Sequence, residues 1–593
     1  MLPESPKPFG VIGMMRRRSS FRVLLVYVVL FYGGSAERLF GQSTSSATEQ
    51  ASTLRGTVVN SVTHEPIGRA LVFSPDNRYA TLTDDRGRFE FSLPAPPLEA
   101  TSDGPAIVFS GSRVRGVSSD WPTSLKARKP GFLSDSDENG GQGVPVSPDQ
   151  LQLTISLDPE ALVVGRVHFS SSDYLNRIQV QLYQRAIRQG REHWNNAGTM
   201  TSRADGSFRF AGLSTGSYKL VTGELLDRDP ETFDPRGQLF GYPPVYYPSA
   251  ADFAAAEVIH LTAGATFQAD VSPIRREYFP VKVGLANVSG GIQLEVWPVG
   301  HPGPGYSLAY NAGDEEVQGS LPGGVYTISA ATYGPTPMTG VLNLTVGGGP
   351  TSGANLQLLP NPSVTASLRE EFEDQQTLEQ LRNLNQQAGI GGRRPRYLNI
   401  NLVPAEDSNN AQGASLRQPT GPEDTALVIE GVRPGGYRVE ANTYLGYIAA
   451  MNSGGTDLLR KPLVVSAGAP PPIEITLRDD GAQVEGTVVD ADGNGLNGAV
   501  AFGRGYNPNP VYFLPLADSE GQFRTAWIYG DGQFQMTQLP PGVYRVLAFD
   551  RQQPEIEYAT EEMLRHLEPQ GQVIQVSPRQ KAHLKLTLIR GSK

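Results

Sequence analysis

Apolar and polar residues alternate in short runs along the whole chain, and one arrangement of them keeps returning. Residues 205–220, DGSFRFAGLSTGSYKL, and 531–546, DGQFQMTQLPPGVYRV, place Asp-Gly, Phe, an apolar residue two positions on, Leu, Gly and Tyr in one register. Residues 427–439, LVIEGVRPGGYRV, repeat the second half, 320–328, SLPGGVYTI, keep the last quarter, and 84–94, DDRGRFEFSLP, keep the first half. Asp-Gly predicts a tight turn and Phe-x-Phe a half-buried strand. Pro-Gly or Gly-Gly predicts a second turn, and Tyr-x-Leu or Tyr-x-Val the strand that follows, because alternate strand residues face one side.

Opening runs stand upstream of these copies, at 54–59 (LRGTVV), 163–169 (VVGRVHF) and 484–489 (VEGTVV), and closing pairs stand downstream, at 258–271, 463–477 and 573–588. The pattern predicts six or seven short strands per unit, the scale of a β-sandwich. The fold class is therefore all-β, a tandem array of about five transthyretin- or immunoglobulin-like sandwiches. The expected modules are 52–158, 159–275, 276–360, 361–478 and 479–590, after a start region at 1–42. Helical turns are expected within 367–387, with Leu378, Leu381 and Leu384 three apart, and in 559–569 and 251–257. Residues 95–150, rich in Ser, Pro, Gly and Asp, predict a long loop.

Glycine (66) and proline (47) are abundant, as many tight turns require. With no cysteine, disulfides, thiolate metal sites and a Cys nucleophile are excluded. A net charge of −10 argues against a nucleic-acid partner, which needs cations to neutralise phosphates. Arg16, Arg17, Arg18 and Arg22 precede the apolar run 23–32 and the small residues 33–36, the build of a secretory signal peptide. Cleavage is expected after Ala36 or near Gln42, with translation starting at Met14 or Met15. The ten-residue apolar run falls short of the roughly 20 residues that span a bilayer as a helix, so no stable transmembrane anchor is expected. These features predict an exported protein of the periplasm, cell surface or medium.

Residues 55–73, RGTVVNSVTHEPIGRALVF, and 485–502, EGTVVDADGNGLNGAVAF, share Gly-x-Val, a polar turn, a small-residue step and an outgoing Val/Ala strand. With 84–94, 531–546, KPGF at 129–132 and LQLTISL at 151–157, they resemble carboxypeptidase regulatory-like domains. The likeness is carried by the first, second and fifth modules. It implies a seven-stranded transthyretin-like sandwich, and it implies that the modules accompany peptidases, receptors or surface proteins rather than do the chemistry.

Several stretches imitate active-site motifs. DADGNG at 490–495 opens like a calcium loop, but Ala501 stands where a bidentate carboxylate is needed; DSDENG at 135–140 has Val146 there. Gly493, Gly495 and Gly498 have dinucleotide-fingerprint spacing, but a strand is expected after them where that site needs a helix. The stretch 490–495 reads as a turn. Ser214 in GLSTG matches a nucleophile elbow, yet it lies between two expected strands, where the elbow requires a strand-to-helix turn. The seven histidines show no zinc-ligand spacing, and no phosphate-binding loop occurs. No catalytic residue, metal site or cofactor is expected. The candidate binding residues are aromatic: Tyr242, Tyr246 and Tyr247 on the Pro-braced stretch 241–248, and Trp194 in REHWNN, which could stack on sugar rings. The expected function is a non-enzymatic envelope binding or scaffold protein whose partner is an extracellular polysaccharide or an envelope protein. The alternatives are a carbohydrate-binding accessory protein and, more remotely, a peptidase or other hydrolase.

Overall fold

The computed structural model describes residues 52–590. The longer segments 95–107, 114–121, 134–142, 170–176, 228–236, 387–394, 406–412 and 497–508 and some scattered residues are left out. The signal-peptide stretch, DSDENG, the strand expected after Gly498 and most of the helix expected at 559–569 lie outside the described residues. The molecule is all-β, with β-sandwich sheets in tandem. Five hydrophobic cores follow one another, running from Leu54 to Leu157, Ala161 to Val271, Phe279 to Leu356, Val364 to Leu477 and Ala482 to Leu586. Each is built from inward residues of alternating strands; Arg88–Leu93, for example, buries Phe89, Phe91 and Leu93 and exposes the residues between.

One topology recurs in all five modules. The opening strand pairs antiparallel with one neighbour and parallel with the module's closing strand. The parallel pairs are Ser52–Asn60 with Gln152–Leu157, Ala161–Arg166 with Thr266–Gln268, and Arg276–Gly284 with Thr351–Asn355. Val364–Glu371 with Ile473–Arg478 and Ala482–Val489 with Lys581–Ile589 complete the set. In the fifth module the two layers merge into one seven-stranded sheet, because Ala548 also pairs with Leu588.

Two recurring sequence signals have direct structural causes. Gly56, Gly165 and Gly486 stand opposite Phe89, Phe208 and Phe534 in their ladders. The ring lies over the bare backbone so closely that a Cβ would approach it to 2.3, 2.6 and 2.7 Å respectively. The tyrosine of each Leu/Val-x-x-Gly-x-Tyr copy reaches back four residues. The hydroxyls of Tyr218, Tyr326, Tyr437 and Tyr544 donate to the carbonyls of Ser214, Pro322, Arg433 and Pro540 at 2.9, 2.9, 2.9 and 2.7 Å. These are tyrosine corners, which fix the turn before a central sandwich strand.

Short joints tie the modules together. Glu160 N donates to Gly131 O (3.1 Å) between the first and second. The strand Leu239–Tyr242, from the second stretch of sequence, pairs with Arg276–Tyr278 in the sheet of the third. Asn361 bonds Pro337 O and Gly431 O at the next joint. The Asp479 carboxylate accepts the backbone N–H groups of Glu373 and Asp374 at 2.9–3.1 Å, while Gln522 Nε2 donates to Ile448 O at 2.5 Å. The chain also returns on itself, since Tyr558 N donates to Gly190 O (3.3 Å), joining the fifth module to the second.

Three local expectations are corrected. Residues 251–257 form turns in place of helix: Asp252 takes Ala255 N, and Lys219 Nζ captures the carbonyls of Phe253 and Ala254, which a helix would have used itself. Within 367–387 the helix is confined to Gln375–Gln386, capped by Asp374, while the preceding residues to Glu371 complete a strand. The expected loop 95–150 holds a core strand, Ser124–Arg128, whose Leu125 and Ala127 are buried.

Candidate functional site

Packing within and beside the second module uses most of the four aromatic candidates. Tyr242 is buried with its ring 4.7 Å from that of Phe169. Tyr246 is also buried, and its hydroxyl donates to Pro304 O of the third module at 2.7 Å. Tyr247 packs against the second core beside Phe267, with ring centroids 5.9 Å apart. Trp194 lies in the strand Arg191–Thr201, edge-on to Phe253, with its Nε1–H on Glu192 Oε1 at 2.6 Å. Lys219 Nζ sits 4.9 Å from both the Trp194 and Phe253 rings. The structure thus brings Trp194 and Tyr246 into one cluster, and the buried rings of Tyr242 and Tyr246 offer no open face for stacking.

The motif imitations resolve into turns. Ser214 belongs to the tyrosine corner of Tyr218, and its Oγ accepts Gln184 Nε2 at 3.1 Å. At 490–495 the Asp490 carboxylate accepts the backbone N–H groups of Asp492 (3.0 Å) and Asn494 (2.8 Å), and Gly493 takes a φ of +84°. These bonds hold the Asp490 carboxyl below its usual range, those from Asn494 most. The carboxylate is therefore occupied within its own turn.

A buried carboxyl lies where the second module meets the third. Glu224 Oε2 faces Ser307 N at 3.4 Å, while Oε1 and the nearby Tyr278 hydroxyl are both buried without a well-formed hydrogen bond. Burial pushes the Glu224 carboxyl up to about 7. The folded protein therefore holds a proton here that the unfolded chain releases, at any pH between the ordinary glutamate value and about 7. Stability from this group is complete below that window and falls as pH rises through it. The Glu224→Gln variant should match the wild type at pH 4 and exceed it by about 3 kcal/mol at pH 8. Urea denaturation at the two pH values measures the difference; an equal gain at both would show that ionisation is not the cause.

A cleft of about 810 Å³ is lined by residues of three modules. Arg191, from the hairpin that carries Trp194, forms one wall. Arg438, Glu440 and Asn442, on the outward-facing positions of the strand Gly435–Thr443, form another, together with the segment 457–461. Residues 519–524 and Tyr558 of the fifth module close it. Tyr558 stacks on Phe523 at 4.5 Å with planes 7° apart, and its ring covers Gly190, where a Cβ would come within 2.6 Å. Arg524 donates to Phe523 O (3.1 Å) and Gln522 Oε1 (2.8 Å). Burial lowers the pKa of both Arg438 and Arg524, and the nearby charge of Arg191 adds to the shift at Arg438. The sequence offered no signal for this cleft, because its walls come from positions more than 300 residues apart.

No family model matches the chain, and no curated protein matches it. Solved structures with some likeness include the pilus adhesin SpaC of Lactobacillus rhamnosus GG, at 10% identity and a TM-score of 0.15 over 52% of this chain. The chain spans 43% of that adhesin's length. The Bacillus anthracis TIE protein matches at 10% identity, covering 73% of this chain and 75% of its own, with a TM-score of 0.13. BcpA, the major pilin subunit of Bacillus cereus, matches at 10% over 72% and 99%, with a TM-score of 0.13.

Proposed function

We propose that this chain is an exported, non-enzymatic scaffold or binding protein of the cell envelope, built of carboxypeptidase regulatory-like modules. The observation that carries the reading is the same sandwich topology five times over, joined without long linkers and cross-braced from Gly190 to Tyr558. Such joints suit a stiff spacer that holds binding surfaces at fixed separations, and repetition favours multivalent attachment. The basic and apolar stretch at 16–36 supports export. An extracellular polysaccharide or an envelope protein fits as partner. A carbohydrate-binding role resting on residues 241–248 has less support, since Tyr242 and Tyr246 are enclosed.

The test is fractionation of cells expressing the full chain, with protease added to intact cells. Recovery in the envelope or medium, shortened at the N-terminus, is the expected result. Full-length protein confined to the cytosol and shielded from protease would end the proposal.

A further inference from the structure

The cleft between the second, fourth and fifth modules is cationic within a chain of net charge −10. Five cationic side chains, Arg191, Arg438, Arg460, Lys461 and Arg524, line it against three carboxylates, Glu440, Asp457 and Glu520. Arg460 pairs with Asp457 at 3.9 Å and donates to Ser519 O at 2.9 Å, but Arg191, Arg438 and Arg524 form no ion pair among the described residues. Arg438 is half-buried, its Nε has no hydrogen-bond partner, and the charge it feels most is the like charge of Arg191. Arg524 spends its donors on a carbonyl and an amide, with no carboxylate among the described residues in ion-pair contact. Holding desolvated guanidinium groups together without counter-charges costs stability. An anion entering the cleft would remove that cost, and a planar carboxylate matches the guanidinium fork.

The remaining lining narrows the ligand. Asn442, Asn452, Ser519 and Gln522 add neutral polar groups, and the three carboxylates can accept hydrogen bonds but would repel a ligand made only of negative charge. More of the cleft's exposed surface is polar than apolar, which favours a polar ligand over one recognised by apolar side chains. The volume lies within the range of about 300–1,000 Å³ usual for small-ligand sites. A hydroxyl-rich ligand bearing isolated carboxylates satisfies both kinds of wall. We infer that this cleft binds an acidic saccharide, with the carboxylate of a uronate unit held by Arg191 and Arg438 and its hydroxyls by Glu440, Asn442 and Gln522.

The experiment is calorimetric titration of the full chain with a galacturonate trisaccharide, against a neutral galactose trisaccharide, a glutamate tripeptide and inorganic tripolyphosphate. Galacturonate should bind at least tenfold more tightly than the other three. Arg438→Gln and, separately, Arg191→Gln should each weaken it tenfold or more. Because the two charges repel in the empty cleft, each variant should melt no lower than the wild type, an outcome that loss of a structural arginine would not give. Absence of galacturonate binding, binding unchanged in both variants, or a melting point lowered by several degrees in both overturns the inference. Equal affinity for the tripeptide or for tripolyphosphate also overturns it, assigning the cleft to acidic peptides or to anions at large. None of these outcomes bears on whether the chain is exported, which fractionation decides separately.

Discussion

Gly486→Ala lowers the stability of the fifth module by about 3 kcal/mol, at the upper end of what one added methyl costs in a packed interior. The new Cβ would lie 2.4 Å from the Leu584 carbonyl oxygen and 2.7 Å from the Phe534 ring. The ring could rotate away, but the carbonyl belongs to the parallel partner strand and moves only with that ladder. Gly495→Ala is the control, because nothing lies within 4 Å of its Cβ position, and it should change stability by less than about 0.5 kcal/mol. Trp527 is the one tryptophan between 479 and 590, so its emission during urea denaturation follows this module. Equal midpoints for the two variants would mean that the glycine–phenylalanine contact is not a constraint.

The second large effect is expected at Tyr544. Its side chain is fully buried, and its hydroxyl both donates to Pro540 O (2.7 Å) and accepts from Gln522 N (3.1 Å). Tyr544→Phe strips two backbone groups of their partner and should cost about 2–3 kcal/mol. Tyr437→Phe breaks the single bond to Arg433 O and should cost about 1 kcal/mol. Parallel denaturation of the two variants gives the comparison. If Tyr544→Phe cost no more than Tyr437→Phe, the bond to Gln522 would contribute nothing, and the turn at 519–522 would be held by Ser519 alone.

Both residues show why so much of the architecture could be read in advance. Each constraint is local in sequence or set by strand register: a tyrosine four residues after its acceptor, a glycine where the opposing strand carries phenylalanine. Alternation of period two then assigns the inward face, and the all-β reading follows. The strand Ser124–Arg128 was hidden in a polar stretch because only Leu125 and Ala127 of its five residues are apolar. The turns at 251–257 looked helical because alanine favours helices, but a lysine 32 or more residues upstream claims the carbonyls. Two of the aromatic candidates, Tyr242 and Tyr246, are enclosed for a related reason. Tyr246 looks like an exposed loop residue until Pro304, 58 positions away, closes over it. Contact between modules is hidden as well, and the arginine cleft is built across three of them.

The side-by-side parallel placement of each module's first and last strands bears on how the protein would respond to a pulling force. Tension applied at a module's two ends drives these strands past each other along their length. In the last module the aligned positions running from Gln483–Lys581 to Val489–Thr587 would share the load at once instead of peeling apart in turn. A chain of such units resists stretching through shear.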